Sequence, residues 1–435
     1  MTNTFPLNIA LIGFGTVGSG VARILSNHAA AIATRAGRAV CVRRVVVRDP
    51  TKTREFLPEG ITVTSDVQAV IDDPDIQLVV QLVGGIDPAY DYMQRFLTAG
   101  KDVVTANKAL IYAHGADLFQ LAADNSRTIG FEAAVAGGIP IISAVTQSLA
   151  GNRILSLEAI LNGTSNFILT RMLDDRQTYG DALKEAQALG YAEADPAMDV
   201  DGTDAAQKLI ILTRLAFSTS VKLPDIVQQG IDCLELLDLQ VADNLGYKIK
   251  LLATSRLNKE RLELSVQPTL IRKDRTIAQI DGANNIVAVE GDAIGRATFS
   301  GAGAGQLPTA SAVVADIIDY ATGRTALTFS SILRMLKQPS LPVQPKEELS
   351  RRYYLRMTVA DRPHVLADIT DVLGRNEISI SSVHQDETPE DMDDGTARLV
   401  IMTHRTTEGR LQAADTELSQ LDCIRGHKIR LPVAD

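Results

Sequence analysis

The sequence predicts an α/β protein: an open, doubly wound parallel sheet, then an α+β middle portion, then a small ferredoxin-like C-terminal unit. Three observations carry this. A short apolar strand over Leu7–Ile12 runs into a glycine-rich turn and a helix, and strands and helices alternate after it. The middle of the chain mixes helical periodicity with isolated strands at 262–266 and 285–290. A proline-rich stretch, KQPSLPVQPKEEL at 337–349, precedes a final segment patterned strand, helix, strand, strand, helix, strand. At 435 residues there is room for about three domains.

The first strand leads directly into Gly13-Phe14-Gly15-Thr16-Val17-Gly18, with a helical pattern over 17–33. Strand, GxGxxG and helix in that order supply what a dinucleotide pyrophosphate needs: a tight turn, close backbone approach, and a helix N-terminus aimed at the phosphates. A Rossmann-type domain follows. Its second strand, 42–47, ends in Arg48-Asp49, where an acid binds a ribose 2′-hydroxyl and an arginine accepts a 2′-phosphate. Having both leaves NAD against NADP open, with the arginine favouring NADP; a merely solvated strand end is the alternative. Strands at 78–82 and Asp102–Thr105, separated by a helix at 88–99, continue the alternation, and Lys108 lies just beyond the second of them. Ligands in such sheets bind at the carboxyl ends of the strands.

Phe131 to Pro140, FEAAVAGGIP, must be irregular because of Gly137, Gly138 and Pro140; carbonyls turned inward by such a loop can ligate a hard cation. A strand at 154–161 precedes the polar turn Asn162-Gly163-Thr164-Ser165-Asn166 and helices at 167–173 and 179–189. Then Glu193, Asp195, Asp199, Asp201 and Asp204 fall within twelve residues, and Lys208 stands four after Asp204. At that spacing Asp204 and Lys208 share a helix face. The continuation LIILTRLAF has almost no polar side, so this helix is buried and its polar first turn opens on a cavity. An ammonium beside carboxylates there could bind substrate and move protons; an ordinary surface ion pair is the alternative. Further on, Gly301-Ala302-Gly303-Ala304-Gly305 precedes an alanine-rich helix and, taken alone, looks like a second phosphate loop.

Composition limits the functions open to this chain. With 45% hydrophobic and 22% charged residues it is a folding sequence, and a net charge of -10 opposes nucleic-acid binding, which needs a basic surface. A small-molecule substrate fits better. Cys41, Cys233 and Cys423 are far apart and lack metal-ligand spacing, as expected in a reducing cytoplasm. The start, MTNTFPLNIALIG, has no basic region or cleavage site, and the longest apolar stretch, 129–149, is interrupted by Glu132, two glycines and Pro140, so no membrane association is expected. The histidines at 28, 114, 384, 404 and 427 are scattered and read as solvated.

The segments VVTANKAL, FEAAVAGGIPII, LNGTSNFILTRM and ALKEAQALGYAEADPAMDVDGTDAAQKLIIL, in that order, make residues 7–323 resemble homoserine dehydrogenase. The resemblance implies reversible NAD(P)H-dependent reduction of L-aspartate 4-semialdehyde to L-homoserine, on the shared route to threonine, methionine and isoleucine. Lys108 and Lys208 match the family's two active-site lysines, with Lys208 usually assigned the proton. Glu193 and Asp204 match residues holding the amino and hydroxyl ends of the substrate, and Asp199 another acid of that pocket. Glu132, Val135, Gly137 and Ile139 match a family sodium site built largely from main-chain oxygens. Gly305 is placed near the dinucleotide, because the helix after it returns to the cofactor domain. The domains implied are 1–136 with 305–340 for the dinucleotide, 137–304 for substrate and dimerisation, a linker at 341–350, and 351–435.

That last segment, YYLRMTVADRPHVLADITDVLGRNEISISSVHQ, resembles an ACT domain, a module that usually pairs with its own copy and binds an amino acid. In this family it implies feedback regulation, commonly by threonine, and a homodimer or homotetramer. One departure matters: the family usually has glycine before Val365, where this chain has His364. An imidazole there could fill the pocket or change its selectivity. Two rival functions remain: a semialdehyde dehydrogenase, which needs a cysteine nucleophile that none of the three cysteines is placed to supply, and a non-enzymatic amino-acid sensor, against which both lysines and all the matching acids speak.

Overall fold

The computed structural model describes residues 5–54, 56–386 and 395–434; the first four residues, part of the segment expected to lack a leader, lie outside them. They form two compact units: residues 1–157, 207–221 and 285–341, and residues 158–206, 222–284 and 342–435.

The first unit is built on a six-stranded sheet in the order Thr62–Thr64, Val40–Val46, Leu7–Ile12, Leu78–Gln81, Asp102–Thr105, Ile129–Gly130, every neighbouring pair parallel. This is the doubly wound dinucleotide-binding order. Strands such as LNIALI are apolar throughout because helices cover both faces of a parallel sheet. Leu7, Ile9, Leu11, Val80 and Val104 pack in one core with Val313 and Ile317, so helix Gln306–Ala321 does return to this unit. The single helix expected over 17–33 is two, Thr16–Asn27 and Ala29–Ala36, broken at His28, whose backbone (φ -117, ψ 23) is not helical. Neither proline nor glycine marks that break in the sequence.

In the second unit, strands Tyr247–Asn258 and Arg261–Arg272 pair antiparallel along their whole length. Strand Ile424–Ala434 joins them in parallel through Leu270↔Val433. Ser350–Ala360, Thr396–Thr403 and Ile380–Asp386 then follow in antiparallel order. With helices Val365–Arg375 and Glu408–Leu418 this completes the expected βαββαβ unit, whose core joins Tyr353, Leu355 and Val359 to Ile369, Leu373 and Leu411. The proline-rich stretch is no free tether. Leu262 N donates to Pro342 O at 2.9 Å and Gln344 N to Leu262 O at 2.9 Å, so it runs beside the Arg261–Arg272 strand. A fully buried ion pair sits beneath: Arg356 donates to Asp238 through Nε at 2.6 Å and a terminal nitrogen at 3.1 Å, and the Tyr354 hydroxyl adds a bond at 3.2 Å.

His364 has φ 75, a left-handed conformation that costs a residue with a Cβ roughly 1–2 kcal/mol. That backbone explains why glycine suits the position.

Candidate active site

The three glycines of the first turn have three different physical roles. Gly13 has φ +98, and a Cβ there would lie 3.1 Å from the Leu82 backbone; a Cβ on Gly18 would lie 2.4 Å from Gly13 O. Those two shape the turn. Around Gly15 nothing lies within 4 Å of where a Cβ would project, and Gly15 caps helix Thr16–Asn27 with no side-chain hydrogen bond. Open space beside uncapped amide groups at a helix N-terminus is what a pyrophosphate requires, so the residues fit the dinucleotide. Gly305, with φ +117, precedes helix Gln306–Ala321, and Gln306 donates to the Ser19 hydroxyl at 3.0 Å. This bond ties the Gly305 turn to the first helix.

At the end of the second strand the two candidate ribose contacts separate. The Asp49 carboxylate accepts from Thr51 N at 2.9 Å and Thr51 Oγ1 at 2.6 Å, and the Thr51 hydroxyl bond, foremost, holds its pKa low. Arg48 is exposed, and no hydrogen bond or ion pair engages it among the described residues.

Lys108 is the first residue of helix Lys108–Asp124. Asn107 caps that helix by accepting from Leu110 N at 3.0 Å and donates to Val83 O at 2.9 Å and Gly85 O at 2.6 Å. One side chain thereby clamps two adjacent strand ends and sets the half-buried lysine at the carboxyl edge of the sheet.

In the second unit the acids are organised by Asn162, which sequence reasoning saw only as part of a polar turn. Its amide donates to Asp199 Oδ1 at 2.7 Å and Asp204 Oδ2 at 2.9 Å, while its carbonyl oxygen caps helix Gly163–Asp174 by accepting from Ser165 N at 2.7 Å. Ser165 Oγ donates to Asp199 O at 2.7 Å and Thr164 Oγ1 to Tyr191 O at 2.7 Å, so the turn staples the acidic loop by its backbone. Asp204 is 4% exposed. Glu193 is exposed, its carbonyl accepting from Gln187 at 3.2 Å. Lys208 follows Asp204 by one turn on helix Thr203–Phe217, and the residues beyond it, Leu209 to Leu212, are at most 2% exposed. Asp195 and Asp201 serve as local caps, accepting from Ala197 N and Thr203 N.

In the loop after Phe131, Ala136 and Gly137 are both left-handed (φ 57 and 56), and a Cβ on Gly137 would strike Gly303 O at 2.5 Å. Val135 and Gly137 are buried, yet among the described residues no hydrogen bond reaches their carbonyl oxygens. Buried carbonyls without donors fit a hard cation. The Glu132 carboxylate is used otherwise, accepting from Ile142 N and Ser143 N, each at 2.8 Å. Ile139 O accepts from Ile141 N at 2.8 Å. Among the described residues no cluster of three or more His, Cys, Asp or Glu side chains is arranged for a metal.

Family models match in three places: homoserine dehydrogenase, NAD binding domain, over residues 13–132; homoserine dehydrogenase over 140–318; and ACT domain over 353–423. A homoserine dehydrogenase of Pseudomonas aeruginosa is 42% identical over 98% of this chain and 99% of its own. The chain belongs to the homoserine dehydrogenase family. The crystal structure of a homoserine dehydrogenase from Thiobacillus denitrificans superposes with a TM-score of 0.92 at 42% identity, covering 100% of both chains. A hyperthermophilic archaeal homoserine dehydrogenase mutant in complex with NADPH matches 74% of this chain and 98% of its own, with a TM-score of 0.62 at 26% identity. As a homoserine dehydrogenase the chain is an NAD(P)-dependent oxidoreductase acting on a CH–OH group, with an ACT domain that implies an amino-acid effector. The thiol rival finds no support. Burial raises the pKa of Cys233 and of Cys423, the reverse of an activated nucleophile, and Cys41 is exposed on a strand. No helix is long and apolar enough to cross a membrane among the described residues.

Proposed function

We propose that this homoserine dehydrogenase reduces L-aspartate 4-semialdehyde to L-homoserine with NADPH, in the branch leading to threonine, methionine and isoleucine. The observation that carries the reading is Asn162 holding Asp199 and Asp204 together one helical turn from Lys208.

Glu193 and Asp204, with Asp199, hold the ammonium and hydroxyl ends of the substrate, and Asn162 keeps two of these acids side by side despite their mutual repulsion. The dinucleotide, when bound, supplies the hydride. As negative charge grows on the aldehyde oxygen, the Lys208 ammonium stabilises it and gives up the proton; Lys108 adds a second cation at the cofactor's sheet edge. The cradle of Gly13, Phe14, Gly15, Thr16, Val17 and Gly18, with Gly305, holds the pyrophosphate. Arg48 takes the 2′-phosphate, because the neighbouring acid is already spent on Thr51; this is what supports NADP over NAD. Sodium, held by the open carbonyls of Val135 and Gly137 with Ile139 and Glu132, would order the loop; no chemical step depends on it. Threonine is the effector we assign to the ACT module, in a cytoplasmic homodimer or homotetramer.

The test is Lys208→Ala, assayed by NADPH and NADH oxidation with the semialdehyde. A fall in turnover of about 10²–10⁴-fold with unchanged cofactor affinity is expected, and near-normal turnover would overturn the assignment. Titrating threonine into the same assay tests the effector, since an unchanged rate at millimolar threonine rules it out.

A further inference from the structure

Within the second unit a cleft of about 290 Å³ opens where the root of the C-terminal module meets strands Tyr247–Asn258 and Arg261–Arg272. That is close to the lower end of small-molecule sites, about 300–1,000 Å³. Charges of both signs line it, and most are already matched. Glu158, 4% exposed, is held by Arg256 at 3.4 Å and Arg275 at 2.5 Å. Two groups are not matched. Arg351 makes a single long bond, 3.5 Å, to the neutral amide oxygen of Gln267, and no carboxylate pairs with it among the described residues. Glu263 accepts one bond, from Asn258 to Oε1 at 2.7 Å; its second oxygen takes none among the described residues.

A partly buried guanidinium with no direct ion pair is costly. Burial, foremost, accordingly pulls the Arg351 pKa down, and Glu263 lies near enough to oppose that shift. A ligand carrying both a carboxylate and an ammonium would satisfy both groups at once. A simple anion such as phosphate would meet Arg351 and Arg405 but would be repelled by Glu263. The apolar stretch of wall at Leu252, Leu257 and Val433 leaves room for a small side chain.

We propose that this cleft binds a free α-amino acid as its zwitterion, the α-carboxylate on Arg351 and the ammonium on the open oxygen of Glu263. It is not the loop before the Val365 helix. Arg351 and His364 flank opposite ends of strand Ser350–Ala360, and nine residues of extended chain separate Arg351 from Ala360 by about 30 Å. The site therefore lies within one chain and needs no second copy of the ACT module.

Isothermal titration calorimetry of the full-length protein against each of the twenty standard L-amino acids at millimolar concentration tests this. At least one is expected to bind, and Arg351→Gln and Glu263→Gln should each weaken it at least tenfold while His364→Gly does not. Its N-acetyl derivative, lacking the ammonium, should not bind. Thermal unfolding of each variant checks that it is folded, and turnover without effector should match the parent. The proposal is overturned if no amino acid binds, if the N-acetyl form binds equally well, or if both folded variants retain full affinity.

Discussion

The Asn162 side-chain amide donates to the Asp204 carboxylate across 2.9 Å, and the same nitrogen reaches Asp199 at 2.7 Å. Two acids of like charge are held together by one neutral donor. Asn162→Ala should remove both bonds and the helix cap, the latter costing about 1 kcal/mol of stability. Because displacements of an ångström cost up to about 10²-fold in rate, kcat/KM for the semialdehyde should fall by that order. The KM for NADPH should hardly change. Steady-state kinetics with each substrate varied in turn distinguishes this from general damage, which would move both.

Gly15 and Gly18 should respond oppositely to the same methyl group. Gly18→Ala places a Cβ 2.4 Å from Gly13 O, so the turn must shift and thermal stability should drop. Gly15→Ala projects into open space; the free protein should unfold at its normal temperature while dinucleotide binding weakens at least tenfold. Thermal scans with and without NADPH measure both effects, and equal stability loss in the two variants would contradict the assigned roles.

Arg356 and Asp238 are 2% and 0% exposed, so removing Asp238 leaves the buried guanidinium with only the half-exposed Glu235 at 3.3 Å, and removing Arg356 leaves a buried carboxylate without its cation. Asp238→Ala should destabilise the chain by about 3–5 kcal/mol. Replacing both, as Arg356→Met with Asp238→Leu, should recover most of that loss, because the cost lies in the orphaned charge more than in the missing attraction. Urea denaturation of the three proteins provides the comparison.

Acid should unlock another anchor. Asp281 accepts from Lys250 at 2.9 Å and from Lys248 at 3.0 Å. Burial by itself would raise its pKa, but the bonds and charges of those lysines, Lys250 first, bring it below the usual 3.8. A depressed folded-state pKa means the unfolded chain binds more protons, so this contribution is complete above the unfolded value and disappears as pH falls through the folded one. Asp281→Asn should therefore lower stability at neutral pH and flatten its decline below about pH 4, as read from unfolding midpoints across that range.

Much of the fold could be read in the residues, and particular elements show why the rest could not. The strand Asp102–Thr105 and helix Val365–Arg375 carry unbroken local patterns; the strand was expected at its observed bounds and the helix in its place in the order of the last segment. Strand Tyr247–Asn258 was not foreseen. Lys250 lies on it at 2% exposure, and a lysine interrupts the apolar signature even where Asn166, Ile280 and Asp281 satisfy it in the interior. The break at His28 is likewise absent from local chemistry.

By itself the sequence determined the doubly wound sheet, the glycine turn, the acids ahead of Lys208 and the βαββαβ module, because each rests on spacing within a few residues of chain. Tertiary structure alone decided that Asn162 bridges Asp199 and Asp204, that Thr51 occupies Asp49 while Arg48 has no partner among the described residues, and that Arg351 and Glu263 face one cleft with no ion pair to either among those residues. Hydrogen bonds and desolvation depend on which groups become neighbours once the chain is folded. Apart from the Asp49 to Thr51 bond, these neighbours come from segments tens of residues apart, where local periodicity carries no information.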